Sequence, residues 1–109
     1  MPVLTDPSAE RAVLAGICEY GSDMYLDICD MVKPNSFAID SNKVIFRCLE
    51  HLVKKDDNVA VDLPSIFSAA SEIGVSNVLE KRDEAKHLNS ILQLHVDRKN
   101  VRRFAAKIR

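Results

Sequence analysis

Proline and glycine punctuate this chain at the places where helices start and stop. Asp6-Pro7 reads as an N-cap followed by the first helical position, where Pro has no N–H to leave unpaired and a φ that is already helical. A helix is expected from there to about Tyr20, stopping at Gly21, with Ala9, Val13, Ile17 and Tyr20 on one stripe and Gly16 on the same face. Gly16 inside a helix points to close approach by another helix. Ser22-Asp23 caps a second, short helix with Tyr25, Ile28, Cys29 and Val32 inward. Lys33-Pro34 ends it, because the residue before a proline is pushed out of the α region. Asn35-Ser36-Phe37 is a turn that plants an aromatic.

Asp40-Ser41 starts a third helix whose Ile45, Cys48, Leu49 and Leu52 form a buried stripe beside Phe46 and Val53. Ile45, Leu49 and Leu52 are expected to pack with Val13, Ile17 and Ile28. The helix runs out in the polar tract Lys54-Lys55-Asp56-Asp57-Asn58, and Val59-Ala60-Val61 is a short extended connector. Asp62 caps a fourth helix with Pro64 in its first turn; Ile66, Phe67, Ala70 and Ile73 face inward and Gly74 closes it. Ser76 to about Glu80 forms a short fifth element. Beyond it no Gly or Pro interrupts the pattern, so one helix is expected from about Glu84 to Arg109, roughly 39 Å long. No strand with alternating polarity appears beyond the connector. The expected fold is therefore all-α: a compact bundle of about five or six helices, the last long and leading into a helical hairpin.

A chain of 109 residues, 47% apolar and 28% charged, is one ordinary globular domain. It has no apolar run of about 18 residues that would span a bilayer, and its first residues lack the basic and apolar blocks of a signal peptide. A cytoplasmic protein is expected. Cys18, Cys29 and Cys48 are odd in number and form no CxxC pair. Cys48 and His51 share a helical face but supply only two ligands, so small buried hydrophobes in a reducing compartment are the expectation.

The chemistry of catalysis is missing. Gly16, Gly21 and Gly74 are scattered and none precedes a Lys, so no phosphate-cradling loop can be built. His51, His87 and His95 accompany no nucleophile motif, and the eight-residue spacing of His87 and His95 does not suit a metal clip on one helix. Asp56-Asp57 and the Asp27/Asp30 pair read as solvated charge. No catalytic, cofactor-binding or metal site is expected.

Charge is divided unevenly. Residues 1–80 carry 6 Lys/Arg against 13 Asp/Glu, while residues 81–109 carry 9 against 3. Such a split suggests an end that meets something. In the last helix Leu94, Val101, Ala105 and Ile108 recur every three to four residues beside Phe104, with Arg98 interrupting. The short helices before it can cover only its first turns, so the rest calls for a following helix or a partner chain, in a protein longer than this sequence. The alternative is that the tail folds back on the core. A direct DNA role for the basic tail is disfavoured because Phe104 is its only aromatic, whereas single-strand binders offer several stacking rings.

Four short segments, in register, resemble the N-terminal domain of DnaB-type replicative helicases. Ser8-Ala9-Glu10-Arg11-Ala12-Val13-Leu14-Ala15-Gly16-Ile17 resembles that family's EAE-x-AVLG-x-(I/L) opening, and Val32-Lys33-Pro34-Asn35-Ser36-Phe37 its LKPEDF. Asp40 to Phe46 resembles its HR-x-IF segment, with Asn42-Lys43 in place of His-Arg, and Val61-Asp62-Leu63 followed by Pro64-Ser65-Ile66 resembles VDLVTV. The family's Gly-Gly after the fourth helix is lost near Val75-Ser76-Asn77. These departures suggest a divergent member, from a phage or plasmid. The resemblance implies a non-catalytic collar of a hexameric 5′–3′ helicase whose ATP- and Mg-dependent motor domain lies outside this chain. It implies oligomerisation with further copies, often as a trimer of dimers, docking of primase and a helicase loader, DNA touched only indirectly, and no membrane. Residues 1–97 would form the globular domain and 98–109 the start of a dimerising hairpin, with Arg98, Val101, Arg102, Phe104, Ala105 and Ile108 at the interface. Competing readings are the helicase-binding domain of a primase and a helical DNA-binding module; Glu10-x-x-Val13-Leu14 together with Lys33-Pro34-x-x-Phe37 favours the helicase.

Overall fold

Asp6 caps the first helix from the position its sequence context predicts: its carboxylate accepts the Ala9 N–H at 3.0 Å, and α1 runs Pro7–Tyr20. The computed structural model describes residues 6–55 and 61–108. Six further helices follow among them: α2 (Ser22–Ile28), α3 (Asp40–Lys55), α4 (Leu63–Glu72), α5 (Ser76–Leu79), α6 (Arg82–Gln93) and α7 (Arg98–Ile108), with a 3₁₀ turn at Pro34–Ser36. No strand occurs among the described residues, so the all-α expectation holds. None of the helices is long and apolar enough to cross a membrane.

α1 is the central rod. Ala9, Glu10 and residues 12–17 are all buried, more than the single stripe read from its sequence. A helix apolar nearly all round belongs in the middle of a bundle, and α1 packs against α2, α3, α6 and α7. Ile45, Leu49 and Leu52 of α3 lie in one core with Val13, Ile17 and Ile28, as expected. Phe37, planted by the 3₁₀ turn, is buried with its ring 5.0 Å from that of Phe46. Burying each such large side chain contributes about 1.5–3 kcal/mol.

The helix ends are mostly those the caps predict. The Asp62 carboxylate accepts the Ser65 N–H at 2.9 Å at the start of α4. At its end Gly74 takes φ +81°, which lets the Val75 and Gly74 N–H groups return to the carbonyls of Ala70 and Ser71 at 2.8 and 3.3 Å. α2 differs from its reading. Gly21, not Ser22-Asp23, is its N-cap, and it stops at Ile28, well before Lys33-Pro34. The Lys33 ammonium reaches back to the Cys29 carbonyl at 2.7 Å, satisfying an acceptor at that end. The Asp56-Asp57 pair and the Val59-Ala60 part of the connector lie outside the described residues, as does Arg109; Val61 is half-buried and outside any helix.

The expected 39 Å helix is broken. Leu94 leaves α6 with extended backbone, and α7 begins only at Arg98. The Tyr20 hydroxyl donates to the Val96 carbonyl at 2.7 Å, and Asp97 caps α7 by accepting the Lys99 N–H on its carboxylate at 3.0 Å. The reason is burial. The molecule is 34 Å in its longest dimension, so an unbroken helix would run off the bundle and leave its apolar stripe in water. Turning back lays that stripe on α1.

Candidate partner-docking face

α7 lies antiparallel along α1. Arg98 stacks its guanidinium 5.4 Å from the centroid of the Tyr20 ring near one end, and Lys107 pairs with the Asp6 carboxylate at 3.1 Å near the other. Between them Val101 rests on Gly16. A Cβ added at Gly16 would lie 2.5 and 2.8 Å from the two Val101 methyl carbons, so only glycine lets the helices meet this closely. Val101 and Ala105 are fully buried, and Phe104 and Ile108 are half-buried against the core. The expectation of an uncovered stripe is thereby corrected for Val101 and Ala105: the tail folds back and the chain's own α1 covers them, while Leu94 stays exposed.

The six residues expected at an interface therefore divide. Val101 and Ala105 point into the core, Arg98 and Arg102 are exposed, and Phe104 walls a cleft of about 350 Å³ that it shares with Ser8, Arg11, Leu94 and Asn100. Arg102 crosses to α2, donating to the Asp27 carboxylate at 3.0 Å and the Asp27 carbonyl at 3.3 Å. His95 lies 2.8 Å from the Glu19 carboxylate. The Ala9 N–H and then the Lys107 ammonium hold the Asp6 carboxyl below its usual range. The acidic beginning and the basic end of the sequence thus answer each other inside one molecule. Lys99 and Arg103 form no ion pair among the described residues and are exposed, Arg103 with its guanidinium 5.2 Å from the Phe104 ring. The outer face of α7 is left cationic.

A second arrangement escaped the sequence reading. Glu10 is 1% exposed, in the centre of the bundle. Its carboxylate accepts the Ala38 N–H at 3.0 Å, the Ile39 N–H at 3.4 Å and the Asn42 side-chain amide at 3.0 Å. These donors stand at the start of α3, so Glu10 caps α3 from another helix and sets its charge on the positive end of the helix dipole. Asn42, fully buried, offers its remaining oxygen to His87 Nε2 of α6 at 2.6 Å. Because the Asn42 amide nitrogen faces Glu10, the oxygen must accept, and His87 carries its proton on Nε2. One signal was legible: Asn42 falls three residues before Ile45 and seven before Leu49, on the buried stripe. It is also where the resemblance departs from His-Arg.

Burial, then the nearby Arg11 guanidinium, lowers the His87 pKa below 6.5, with Glu84 acting the other way. The folded state therefore favours neutral His87, and the unfolded chain takes up a proton first as pH falls. The stability that neutral His87 contributes is complete above about pH 6.5 and is lost as pH drops through the unfolded value toward the folded one. Urea unfolding between pH 7.5 and 5.5 should show wild type losing more stability than His87→Gln, which keeps a donor for Asn42 and does not titrate. Equal losses would remove His87 from the account.

Burial pushes the Cys18 thiol up to about 12 and the Cys48 thiol up to about 11, so neither is a ready thiolate. His51 bonds not Cys48 but the Glu72 carboxylate, at 3.1 Å. No group of three or more His, Cys, Asp or Glu side chains among the described residues is placed to hold a metal ion.

Residues 3–109 match the DnaB-like helicase N terminal domain family. No curated protein sequence matches the chain. Among solved structures, the crystal structure of the N-terminal domain of DnaB helicase from Mycobacterium tuberculosis is similar in fold, with a TM-score of 0.77 over 95% of this chain and 70% of that one, at 16% identity.

Proposed function

Since the chain belongs to the DnaB-like helicase N terminal domain family, we propose that it is the non-catalytic collar of a hexameric replicative DNA helicase, acting in the cytoplasm to hold subunits together and to dock primase or other replication proteins. The observation that carries this reading is the family match, which takes in nearly the whole chain, residues 3–109. The chemistry agrees with it. The sequence carries no Gly-rich phosphate-binding loop, in keeping with a reading in which ATP and Mg are handled by a separate motor domain. Docking falls to exposed surface. On α7 that means Arg98, Lys99, Arg102 and Arg103, while Val101 and Ala105 act from beneath by fixing the helix on α1.

Two measurements on the purified chain test the proposal. Titration calorimetry against the primase encoded with it should show binding, and ATP turnover should not exceed that of a heat-killed control. Absence of binding overturns the docking role, and turnover overturns the non-catalytic one. Filter binding of single-stranded DNA over a salt series tests the DNA-binding reading. Tight binding with a steep salt slope would make this a DNA-binding module instead.

A further inference from the structure

The cleft of about 350 Å³ walled by Phe104 lies between α1, α7 and the turn that joins α6 to α7. Ligand pockets run from about 300 to 1,000 Å³, so its size suits a free small molecule and not a length of polypeptide. Ser8, Arg11 and Ala12 reach it from α1, where three- and four-residue spacing puts them on one face. Asn100 and Phe104, four residues apart, reach it from α7. Leu94 and Val96 close it from the turn, and Leu94 is one of two large apolar side chains left exposed among the described residues. Apolar walls with a few polar groups among them are what a ligand pocket needs.

Arg11 gives the cleft its chemistry. It is half-buried, and its guanidinium makes one hydrogen bond among the described residues, from Nη2 to the Ser90 hydroxyl at 3.1 Å. Its Nε is buried with no acceptor. Arg11 and Glu84 both act on His87, yet Arg11 forms no ion pair with Glu84 or any other acid among the described residues. A cation drawn out of water without a counter-ion favours an anion that can reach it. The other charged groups at the cleft are engaged: the Asp97 carboxylate caps α7 through the Lys99 N–H, and His95 lies against Glu19. We infer that the cleft is a binding site for a small monocarboxylic acid with an aromatic or branched apolar body. The carboxylate pairs with the Arg11 guanidinium on the α1 wall, where the Ser8 hydroxyl can also donate, and the body lies against Phe104 and Leu94. The Asp97 charge at the turn disfavours a second carboxylate. Binding here does not depend on the collar role proposed above.

NMR titration of the ¹⁵N-labelled chain with 3-phenylpropionate tests the site, with 3-phenylpropanamide as the uncharged counterpart. The acid shifts amide signals around residues 8–12 and 94–104 along one saturable curve, with a Kd of about 1 mM or below. The amide binds about tenfold more weakly, because it offers Arg11 no charge. Arg11→Met keeps the aliphatic stem, removes the guanidinium and binds acid and amide alike. Phe104→Ala weakens both and keeps the preference for the acid. The comparison of acid with amide on wild type needs no variant, so a poorly folded Arg11→Met leaves the test standing. The site is overturned if the acid fails to saturate by roughly 20 mM, if wild type binds acid and amide equally, if the preference survives in a folded Arg11→Met, or if the shifts centre outside the cleft.

Discussion

Glu10→Ala should lower the unfolding free energy by about 3–4 kcal/mol. The substitution leaves the N–H groups of Ala38 and Ile39 and the amide of the buried Asn42 without their acceptor, at about 1–3 kcal/mol for a fully buried group and less for those near solvent. It also removes a negative charge from the positive end of α3. A domain of this size loses several degrees of melting temperature per kcal/mol, so the melt should shift down by roughly 15 °C or more. Glu10→Gln keeps one accepting oxygen but turns an NH₂ toward a donor, and should fall between the two. Thermal and urea unfolding followed by circular dichroism decide the matter. A melting temperature for Glu10→Ala within a few degrees of wild type would show that the bundle does not depend on this cap.

Gly16→Leu should destabilise by about 3 kcal/mol, the upper end of what overpacking costs, because the new side chain has to enter where Val101 already sits. Gly16→Ala is the more discriminating test. Exchanging Gly for Ala inside a helix stabilises by about 1 kcal/mol, but the added methyl would fall 2.5 Å from a Val101 methyl carbon. Val101 is β-branched and rigid, so it cannot swing aside cheaply. A net loss of about 1 kcal/mol is expected, and Val101→Ala should relieve it. In the double-mutant cycle the two changes should couple favourably by more than about 1 kcal/mol. Additivity within about 0.5 kcal/mol would mean that α7 does not rest on Gly16 as described.

These two sites differ in how far the sequence announced them. Gly16 was readable, because a glycine inside an apolar helix has few uses other than close approach; what it approaches was not. Glu10 was readable only as part of a family-like opening, since nothing near it in the chain says that its carboxylate ends at residues 38, 39 and 42. The reading of the last helix placed Val101 and Ala105 on one apolar stripe but left that stripe uncovered, whereas α1 lies against it. Helical spacing shows that Val101 and Ala105 belong on an apolar stripe, but spacing alone is silent about what lies against that stripe.

Local rules settled a great deal of this protein. Asp6-Pro7, Asp62 with Pro64, and Gly74 placed helix ends because a cap satisfies backbone groups within four residues of itself. The 3.6-residue period placed Ile45, Leu49 and Leu52 in the core, and the all-α class followed from having no alternating segment. Tertiary structure alone decided the rest. The turn at 94–97 carries an Asp cap but no glycine or proline to announce it, and it is held by the Tyr20 hydroxyl from 76 residues away. The Arg102–Asp27 bridge joins residues 75 apart, and the Asn42–His87 bond joins residues 45 apart. Each depends on where whole helices come to rest. That is set by how much apolar surface the complete bundle removes from water, a sum over all elements that no local segment of the chain contains.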